Sequence, residues 1–267
     1  MRLLSWNVQW CRGTDGVVDP ARIAAEARRL ADPDVVCLQE VAAGFDELPG
    51  SRGEDQFALL AAHFPGYSAH GVWPVERGAR RFGNLPLSRL PVARVLRHSL
   101  PWPASAEGPS MPRAAIEAVI EAPGGALRVL TTHLEYYSAE HRAAQVGRLR
   151  TVHAEACSPR KSVEEPGPFA LDALPADMLL CGDFNFPPED PLHARMKDFG
   201  FIDCWEALHP GSAHPHTFRV HERKKGQAAY CCDFVFASAE VGPRLRSMRI
   251  DAANRASDHQ PVIVELA

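Results

Sequence analysis

The chain has 267 residues, of which 46% are hydrophobic and 23% are charged, and these proportions are ordinary for a globular protein that buries a core. Its formal net charge of -4 argues against a protein that coats DNA, because tight non-specific contacts with phosphates require a basic surface. No apolar run has the length of a signal peptide or a membrane span, and the seven cysteines without CxxC spacing argue against a disulfide framework. We therefore expect a cytoplasmic protein with no transmembrane segment, and no feature points to a protein partner.

The first part of the chain is predicted to form strands joined by two helices. Asp19 is a good N-cap and Pro20 suits the first helical position, so a helix is expected to begin there. Proline lacks the backbone donor that a strand ladder uses, so Pro86 and Pro91 are expected to break the strands around them. In chain order, the predicted elements are a strand over 3–8, a helix over 19–30, a buried strand over 35–38, a helix over 56–64 and strands within 85–96.

The rest of the chain is predicted to contain a hairpin, a long helix and several further strands. Pro123, Gly124 and Gly125 separate two apolar runs and are typical of a hairpin turn. Ser138 is expected to cap the long helix, and Gly200 is expected to end the next one. In chain order, the predicted elements are strands over 114–120 and 127–133, a helix over 138–152, a strand over 178–181, a helix over 191–199 and strands over 232–236 and 262–266.

The sequence of elements lacks the regular strand-helix alternation of a doubly wound parallel sheet. It favours an α/β (α+β) architecture in which two packed, mostly antiparallel sheets carry helices on the outside. Neither an internal repeat nor a glycine-rich nucleotide-binding motif occurs. We expect a single domain over residues 1–267.

Polar side chains recur at the points where the predicted strands end. A strand end is rigid, so it can hold a side chain within the tolerance that catalysis requires. Carboxylate and amide oxygens are the ligands that Mg²⁺ prefers, and an imidazole paired with a carboxylate suits acid–base chemistry. The residues concerned are Asn7, Glu40, His133, Asp183, Asn185, Asp233, Asp258 and His259.

Short motifs around these residues resemble the ordered motifs of the endonuclease/exonuclease/phosphatase superfamily, and they extend over almost the whole chain. One tripeptide match is weak, but five or six matches in order make coincidence a poor explanation. The resemblance implies a DNase I-like fold, which is a four-layer α/β/β/α sandwich, and hydrolysis of phosphoester bonds with Mg²⁺ or Mn²⁺ as the cofactor. The motifs are Trp6-Asn7, Gln39-Glu40-Val41, Thr132-His133-Leu134, Gly182-Asp183-Phe184-Asn185, Cys232-Asp233-Phe234-Val235 and Ser257-Asp258-His259.

The resemblance implies a role for each matching position. The positions that resemble metal ligands are Asn7, Glu40 and Asp258. The positions that resemble catalytic residues are Asp183 and Asn185, which position the water and contact the phosphate, His133 beside that phosphate, and His259 held by Asp233. The substrate-binding positions are Asn84, in a segment similar to the family's Gly-Asn-x-x-Leu-Ser-Arg-x-Pro pattern, and Arg113, before the next strand.

Two features of the expected mechanism stay open. The sequence does not decide whether His259 or Asp183 deprotonates the attacking water. The number of metal ions is also open, because Gln9 stands where some nucleases of this family carry a second acidic ligand.

Three hypotheses of function follow from this pattern. The first is a phosphodiesterase that acts on nucleic acid, as a nuclease or in the processing of DNA or RNA ends. The second is a phosphatase or phosphodiesterase for phospholipid headgroups, inositol phosphates or nucleotides, and the acidic balance of charge slightly favours it. The third is a non-catalytic binding module on the same fold, against which the intact motif set argues.

Three other groups of residues in the sequence each allow two interpretations. Aromatic residues in predicted loops either stack on a base or pack in the core. Basic pairs and runs at 80–81 and 223–225 either contact substrate phosphates or are solvated surface. A group of histidines forms either a transition-metal site or a flexible loop near the active site. The aromatic residues are Trp10, Trp102, Tyr136 and Tyr137, and the histidines are His209, His214, His216 and His221.

Overall fold

The computed structural model describes residues 1–104, 109–158, 173–221 and 228–267, so the basic run 223–225 lies outside the described residues. The described strands are β1 Arg2–Asn7, β2 Val35–Ala43, β3 Ser68–Ala69, β4 Val72–Arg77, β5 Arg80–Ser88, β6 Val92–Ser99, β7 Ala114–Ala122, β8 Gly125–His133, β9 Met178–Asp183, β10 Ile202–Asp203, β11 Asp233–Ala237, β12 Leu245–Ile250 and β13 Val262–Leu266. The α-helices are α1 Pro20–Ala31, α2 Gln56–His63, α3 Ala139–Cys157, α4 Pro191–Asp198 and α5 Cys204–Leu208.

The helices begin where side chains satisfy the free backbone donors of the first turn. Asp19 accepts a hydrogen bond from the backbone of Arg22, and Pro20 occupies the first helical position, as the sequence predicted. Ser138 caps α3 in the same way, by accepting from the backbone of His141 at 3.2 Å. The predicted starts of these two helices are therefore confirmed.

The prediction that Pro86 breaks its strand was wrong, because β5 runs without interruption from Arg80 to Ser88. The carbonyl of Pro86 still accepts a hydrogen bond from the backbone of His70 at 3.0 Å. The strand therefore lacks only the backbone N–H donor of Pro86, while the carbonyl acceptor of this residue is used. Pro91 lies between β5 and β6, as expected. Short or half-exposed elements were not predicted, and they are β3, β4, β10, β12 and α5.

The strands form two mixed sheets. The first has the order β12-β13-β1-β2-β5-β3, with β4 also paired to β5, and the second has the order β10-β11-β9-β8-β7-β6. Two pairs are parallel, β1 with β2 and β8 with β9, and the other pairs recorded for the described residues are antiparallel. The sheets are therefore mostly antiparallel, as the sequence predicted.

Alternating strand residues divide the buried side chains among three layers of core. Leu3 belongs to the same buried cluster as Val129 of the second sheet, whereas Leu4 belongs to the cluster that contains Ile23 of α1. On the far face of the second sheet, a third cluster includes Val146 of α3. This arrangement is the predicted four-layer α/β/β/α sandwich. None of the helices in the described part of the chain combines the length and the apolar character that a membrane span requires.

Candidate active site

The ends of three neighbouring strands bring polar residues of the second sheet side by side. The register pairs His133 at the end of β8 with Asp183 at the end of β9, and it pairs Asp183 with Asp233 at the start of β11. Gly182 allows the close approach of β8 and β9, since a Cβ on this residue would lie 1.9 Å from the carbonyl oxygen of Thr132. Its φ of 138° is also a conformation that other residues rarely adopt.

Asp183 lies at the centre of the site. Its Oδ2 accepts a hydrogen bond from Asn7 Nδ2 at 3.0 Å and lies 3.5 Å from Nε2 of His133 and 3.7 Å from Nε2 of His259. Its Oδ1 accepts from the backbone of Asn185 at 2.9 Å. Because Asn7 belongs to the first sheet, these contacts join the ends of both sheets.

Glu40 reaches the same centre from β2. Its Oε1 accepts a hydrogen bond from Asn7 Nδ2 at 2.9 Å and lies 3.9 Å from Nε2 of His133. The residue has a φ of 57° and falls where the register of β2 with β5 shifts, between Leu38 and Val41. A left-handed residue at a strand irregularity is a strained conformation, and such strain is often found at functional sites.

The carboxamide nitrogen of Asn7, Nδ2, points toward the carboxylates of Glu40 and Asp183. The Oδ1 of Asn7 instead accepts a hydrogen bond from the backbone of Gln9 at 3.1 Å. Asn7 therefore positions Glu40 and Asp183 in this structure. Its amide would have to rotate before its oxygen could bind a cation, as the sequence-based role of a metal ligand requires.

Asp258 completes the group of carboxylates, and Gln9 is its partner. The Nε2 of Gln9 donates to Asp258 Oδ2 at 2.6 Å. Gln9 begins a run of three left-handed residues, which continues through Trp10 and Cys11. The sequence marked Gln9 only as a departure from the family pattern, and its contact with Asp258 was not predicted.

His259 and Asp233 form a buried pair, as the sequence predicted. The Nδ1 of His259 lies 2.9 Å from Asp233 Oδ2. The ring of Phe218 stacks on the imidazole, with centroids 4.4 Å apart, and Thr217 accepts a hydrogen bond from the backbone of Asp233 at 3.2 Å. Trp6 donates to the carbonyl of His259 at 3.0 Å. The imidazole is thereby held on several sides.

Burial and mutual repulsion dominate the electrostatics of this site. Burial, and then the charge of Asp258, raise the pKa of Glu40 to about 7. Burial is also the main cause that raises the pKa of Asp183 to about 6. Burial alone would lower the pKa of His259, but Asp233 and Asp183 outweigh it and raise that pKa to about 10. The pKa of His133 falls well below its usual range, chiefly because the ring is buried.

The donor atoms of the site fit a hard divalent cation. Glu40, Asp183 and His133 present ligand atoms that all lie within 4.8 Å of one another. Besides burial, the charges of Asp258 and, to a smaller extent, Asp183 raise the pKa of Glu40, and a cation bound beside these carboxylates would offset the repulsion. Carboxylate oxygens are the ligands that Mg²⁺ and Mn²⁺ prefer.

A cavity of about 440 Å³ opens beside these residues. Catalytic candidates form its floor, including Glu40, Asp183, Asp258 and His259. Aromatic side chains form much of its wall. They are Trp10, Phe45, Phe82, Tyr136, Tyr137 and Phe218.

The two predicted substrate-binding residues differ in their placement. Arg113 lines the cavity, and its Nε lies 3.5 Å from Oε2 of the buried Glu135. Asn84 does not line it. The amide of Asn84 donates to the carbonyl of Ala114 at 3.1 Å and borders a smaller neighbouring cavity together with Arg113.

Several other candidates from the sequence lie in structural contacts. Arg80 pairs with Glu47, Arg81 pairs with Asp55 at 2.5 Å, and neither arginine lines the cavity. Trp102 is 52% exposed and does not line the cavity.

Gln9, Thr217 and Phe218 contact site residues, and the sequence analysis predicted none of these contacts. Thr217 and Phe218 lie between α5 and β11, outside the motifs that the sequence singled out. The one available signal is Gln9 itself, which follows the Trp6-Asn7 motif by two positions.

Comparison with known proteins gives the family. The model of the Endonuclease/Exonuclease/phosphatase family matches residues 4–259. Among curated proteins, none matches the chain.

Solved structures share the fold at low sequence identity. A mannosyl-6-phosphatase of Bacteroides thetaiotaomicron is 16% identical with a TM-score of 0.73, over 100% of this chain and 99% of that chain. A 3' phosphatase of Neisseria, bound to a product DNA hairpin, is 19% identical with a TM-score of 0.64, over 100% of this chain and 99% of that chain. TDP2 of D. rerio, complexed with a single-strand DNA product, is 19% identical with a TM-score of 0.68, over 99% of this chain and 97% of that chain.

The family match extends from β1 to His259 and so includes each of the strand ends that meet at the cavity. The chain is therefore a phosphoester hydrolase that belongs to the endonuclease/exonuclease/phosphatase family.

Proposed function

We propose that this protein hydrolyses phosphoester bonds with a divalent metal ion, Mg²⁺ or Mn²⁺, and acts at the ends of nucleic-acid strands. The observation that carries the proposal is the convergence of Glu40, Asp183 and Asp258 with two histidines on the floor of an aromatic cavity. When bound, the ion would offset the charge that develops on the phosphate oxygens and on the leaving group. Glu40 and Asp258 would hold it, with Asn7 orienting Glu40.

Asp183 is the better candidate for the base that deprotonates the attacking water. With its pKa raised to about 6, the Asp183 carboxyl is ionised at neutral pH and still basic enough to accept a proton. His259, with a pKa raised to about 10, is already protonated at neutral pH and cannot accept one. Its imidazolium suits a hydrogen bond to the phosphate instead, with Asp233 fixing the ring.

His133 and Asn185 would contact the same phosphate. His133 stays neutral, because burial lowers its pKa, and its Nε2 points toward the carboxylates of the floor. The amide of Asn185 donates one hydrogen to the carbonyl of Leu134 at 2.9 Å, and a second hydrogen remains for a phosphate oxygen.

The cavity wall favours a base over a long phosphate backbone. Aromatic faces stack on nucleobases with little dependence on sequence. Arg113 is the one arginine among the lining residues that the structure describes, and it is balanced by Glu135. A polyanion that occupied an extended groove would require more positive charge than this. One phosphate with one or two flanking bases therefore fits better than a duplex.

A second candidate function has two observations in its favour. The apolar walls of the cavity would also accommodate a lipid. The fold is shared with a mannosyl-6-phosphatase. A substrate with an uncharged or apolar leaving group would therefore also fit beside the catalytic candidates. This candidate is a phosphatase or phosphodiesterase for phospholipid headgroups, inositol phosphates or related small phosphoesters.

A substrate panel with Mg²⁺ separates the two candidates. It contains oligonucleotides with a terminal phosphate or a blocked end, a sugar phosphate, inositol phosphates and phospholipid vesicles. We expect the fastest turnover on the oligonucleotide end, with a shallow dependence on salt because few phosphates are contacted. Faster turnover of vesicles or sugar phosphates would select the second candidate.

Two exposed aromatic residues offer a matched pair of variants. Tyr137 is 64% exposed and lines the cavity, whereas Trp102 is 52% exposed and does not. Tyr137→Ala is expected to raise KM for an oligonucleotide by roughly 5- to 100-fold, the range of one base-stacking contact, with little change in kcat. Trp102→Ala is expected to leave KM unchanged. Equal effects of the two substitutions would argue against base stacking at this wall.

A further inference from the structure

A second group of metal-binding side chains lies outside the active site. His193 and His214 both direct Nε2 at one oxygen, Oδ2 of Asp203, at 2.8 Å and 3.0 Å. The three side chains are 2%, 8% and 1% exposed, respectively. Two imidazole nitrogens and a carboxylate oxygen therefore converge on one buried point.

Glu206 adds a fourth ligand atom, a carboxylate oxygen, at the edge of this group. Ligand atoms of His193, Asp203, Glu206 and His214 all lie within 4.8 Å of one another. The Glu206 side chain is 41% exposed and pairs with Lys197 at 2.9 Å. The group is thus open to solvent on one side, which gives an ion a path of entry.

The chemistry of this group differs from that of the active site. Two imidazoles with carboxylates are typical ligands of Zn²⁺ and of similar transition metals, whereas Mg²⁺ prefers oxygen alone. Tetrahedral bonds of about 2.1 Å place neighbouring ligand atoms about 3.4 Å apart. The imidazoles would therefore have to move by only a few tenths of an ångström from Asp203. The second oxygen of Asp203 is already fixed, because it accepts from the backbones of Trp205 and Glu206.

The group also ties together elements that lead to the active site. His193 belongs to α4, Asp203 caps α5, and His214 lies in the connection that continues to Thr217. Both rings pack against Phe234, with centroids 5.1 Å and 5.5 Å away. Phe234 is adjacent to Asp233, so a rigid group here supports the pair that Asp233 forms with His259.

We propose that His193, Asp203 and His214, with Glu206 as a fourth ligand, bind one Zn²⁺-class transition-metal ion. This ion is distinct from the catalytic metal, and it fastens the 209–217 connection to α4 and α5. Its role is structural, since three of the four ligands are buried and none of the four lines the catalytic cavity.

Metal content and thermal stability test the proposal. The full-length protein is stripped with a chelator, exchanged into excess Mg²⁺ to fill oxygen-ligand sites, and titrated with Zn²⁺. We expect one Zn²⁺ per chain and a higher Tm. His214→Ala and His193→Gln are expected to weaken Zn²⁺ binding by about 100-fold or more, because each removes a direct ligand. His216→Ala removes an exposed histidine from the same connection and is expected to bind Zn²⁺ like the wild type.

Binding to the unaltered protein decides the outcome even if a variant fails to fold. Failure of the wild type to retain Zn²⁺ would show that the three residues form only a hydrogen-bond network, and it would overturn the proposal. Substitution with Co²⁺ reports the ligands, and we expect a tetrahedral spectrum without thiolate-to-metal charge transfer. A thiolate band would assign the ion to Cys232, Asp183 and His259, whose ligand atoms also cluster, and would overturn the proposal as well.

Discussion

At the scale of single residues, Glu40 is held in the fold at a cost in stability. Its pKa of about 7 lies above the value of about 4.3 for an unfolded chain, so folding favours the protonated carboxyl. The stability that protonated Glu40 contributes is fully present below about pH 4, and it is lost as the pH rises through about 7. At neutral pH the metal-free site therefore carries a destabilising charge.

Glu40→Gln is accordingly expected to stabilise the metal-free protein at pH 8. The expected gain is about 1 kcal/mol, or about 2–4 °C in Tm for a protein of this size, and it should shrink as the pH falls toward 4. The measurement is thermal denaturation in excess chelator across this pH range. Saturating Mg²⁺ is expected to remove the advantage, because the ion binds the wild-type carboxylate better. A variant less stable than the wild type at pH 8 in chelator would contradict this account.

Asp233 and His259 are expected to act as one unit in turnover. His259→Ala should lower kcat by about 100-fold or more, because it removes the imidazolium that we propose contacts the phosphate. Asp233→Asn should lower it somewhat less, and the double variant should lose little more than His259→Ala alone. A double-mutant cycle on kcat, with folding checked by circular dichroism, measures the coupling. Simple addition of the two losses would show that Asp233 does not orient His259.

Residues of the site were predictable where they lie within a motif beside an apolar strand and not elsewhere. Asp183 and His259 follow or precede apolar runs within recognised motifs, so the sequence identified both of them. Gln9 approaches Asp258 through a run of left-handed residues, and Phe218 reaches His259 through a long connection. Hydrophobic periodicity carries no information about the path of such segments, so these contacts had to come from the structure.

At the scale of elements, the close approach of β8 and β9 sets the position of Asp183. Gly182→Ala is expected to destabilise the protein by about 3 kcal/mol or more, because the new Cβ would lie 1.9 Å from the carbonyl oxygen of Thr132 at a φ of 138°. Gly147→Ala, in α3 with no atom within 4 Å of the added carbon, is expected to stabilise by about 0.5–1 kcal/mol. Urea denaturation measures the free energy of unfolding of both variants and of the wild type. A stability loss below 1 kcal/mol for Gly182→Ala would show that β9 can shift.

Elements with a strong local signal were predicted well, and short ones were not. The caps Asp19 and Ser138 and the hairpin turn at Gly124 mark their elements by local chemistry, which is why those predictions are confirmed. Helix α5 has only five residues, and β12 buries few of its side chains, so neither shows a readable period. Pro86 was misjudged because a proline is tolerated where no partner strand requires its missing donor. The short β3 pairs with β5 only at Leu87 and Ser88, and the sequence does not identify that strand.

At the scale of the whole molecule, both sheets contribute to one site and share one core. The core between them includes Leu3 and Cys37 from the first sheet and Val129 and Cys181 from the second. We therefore expect residues 1–267 to unfold as one domain in a single cooperative transition. Near-ultraviolet circular dichroism and loss of activity, followed during denaturation, should give the same midpoint. Two separated transitions would show that the sheets unfold independently.

The central claim is that the carboxylates at the strand ends hold a divalent cation that phosphoester hydrolysis requires. Turnover of a chromogenic phosphodiester tests it most directly, with metal-free protein and Mg²⁺ or Mn²⁺ titrated back. We predict no turnover in excess chelator and saturable recovery with either ion. We also predict a loss of about 100-fold or more in Asp183→Asn, which keeps the shape of the side chain and removes the carboxylate that we propose as the base. Full turnover by the stripped wild-type protein in excess chelator would contradict the account.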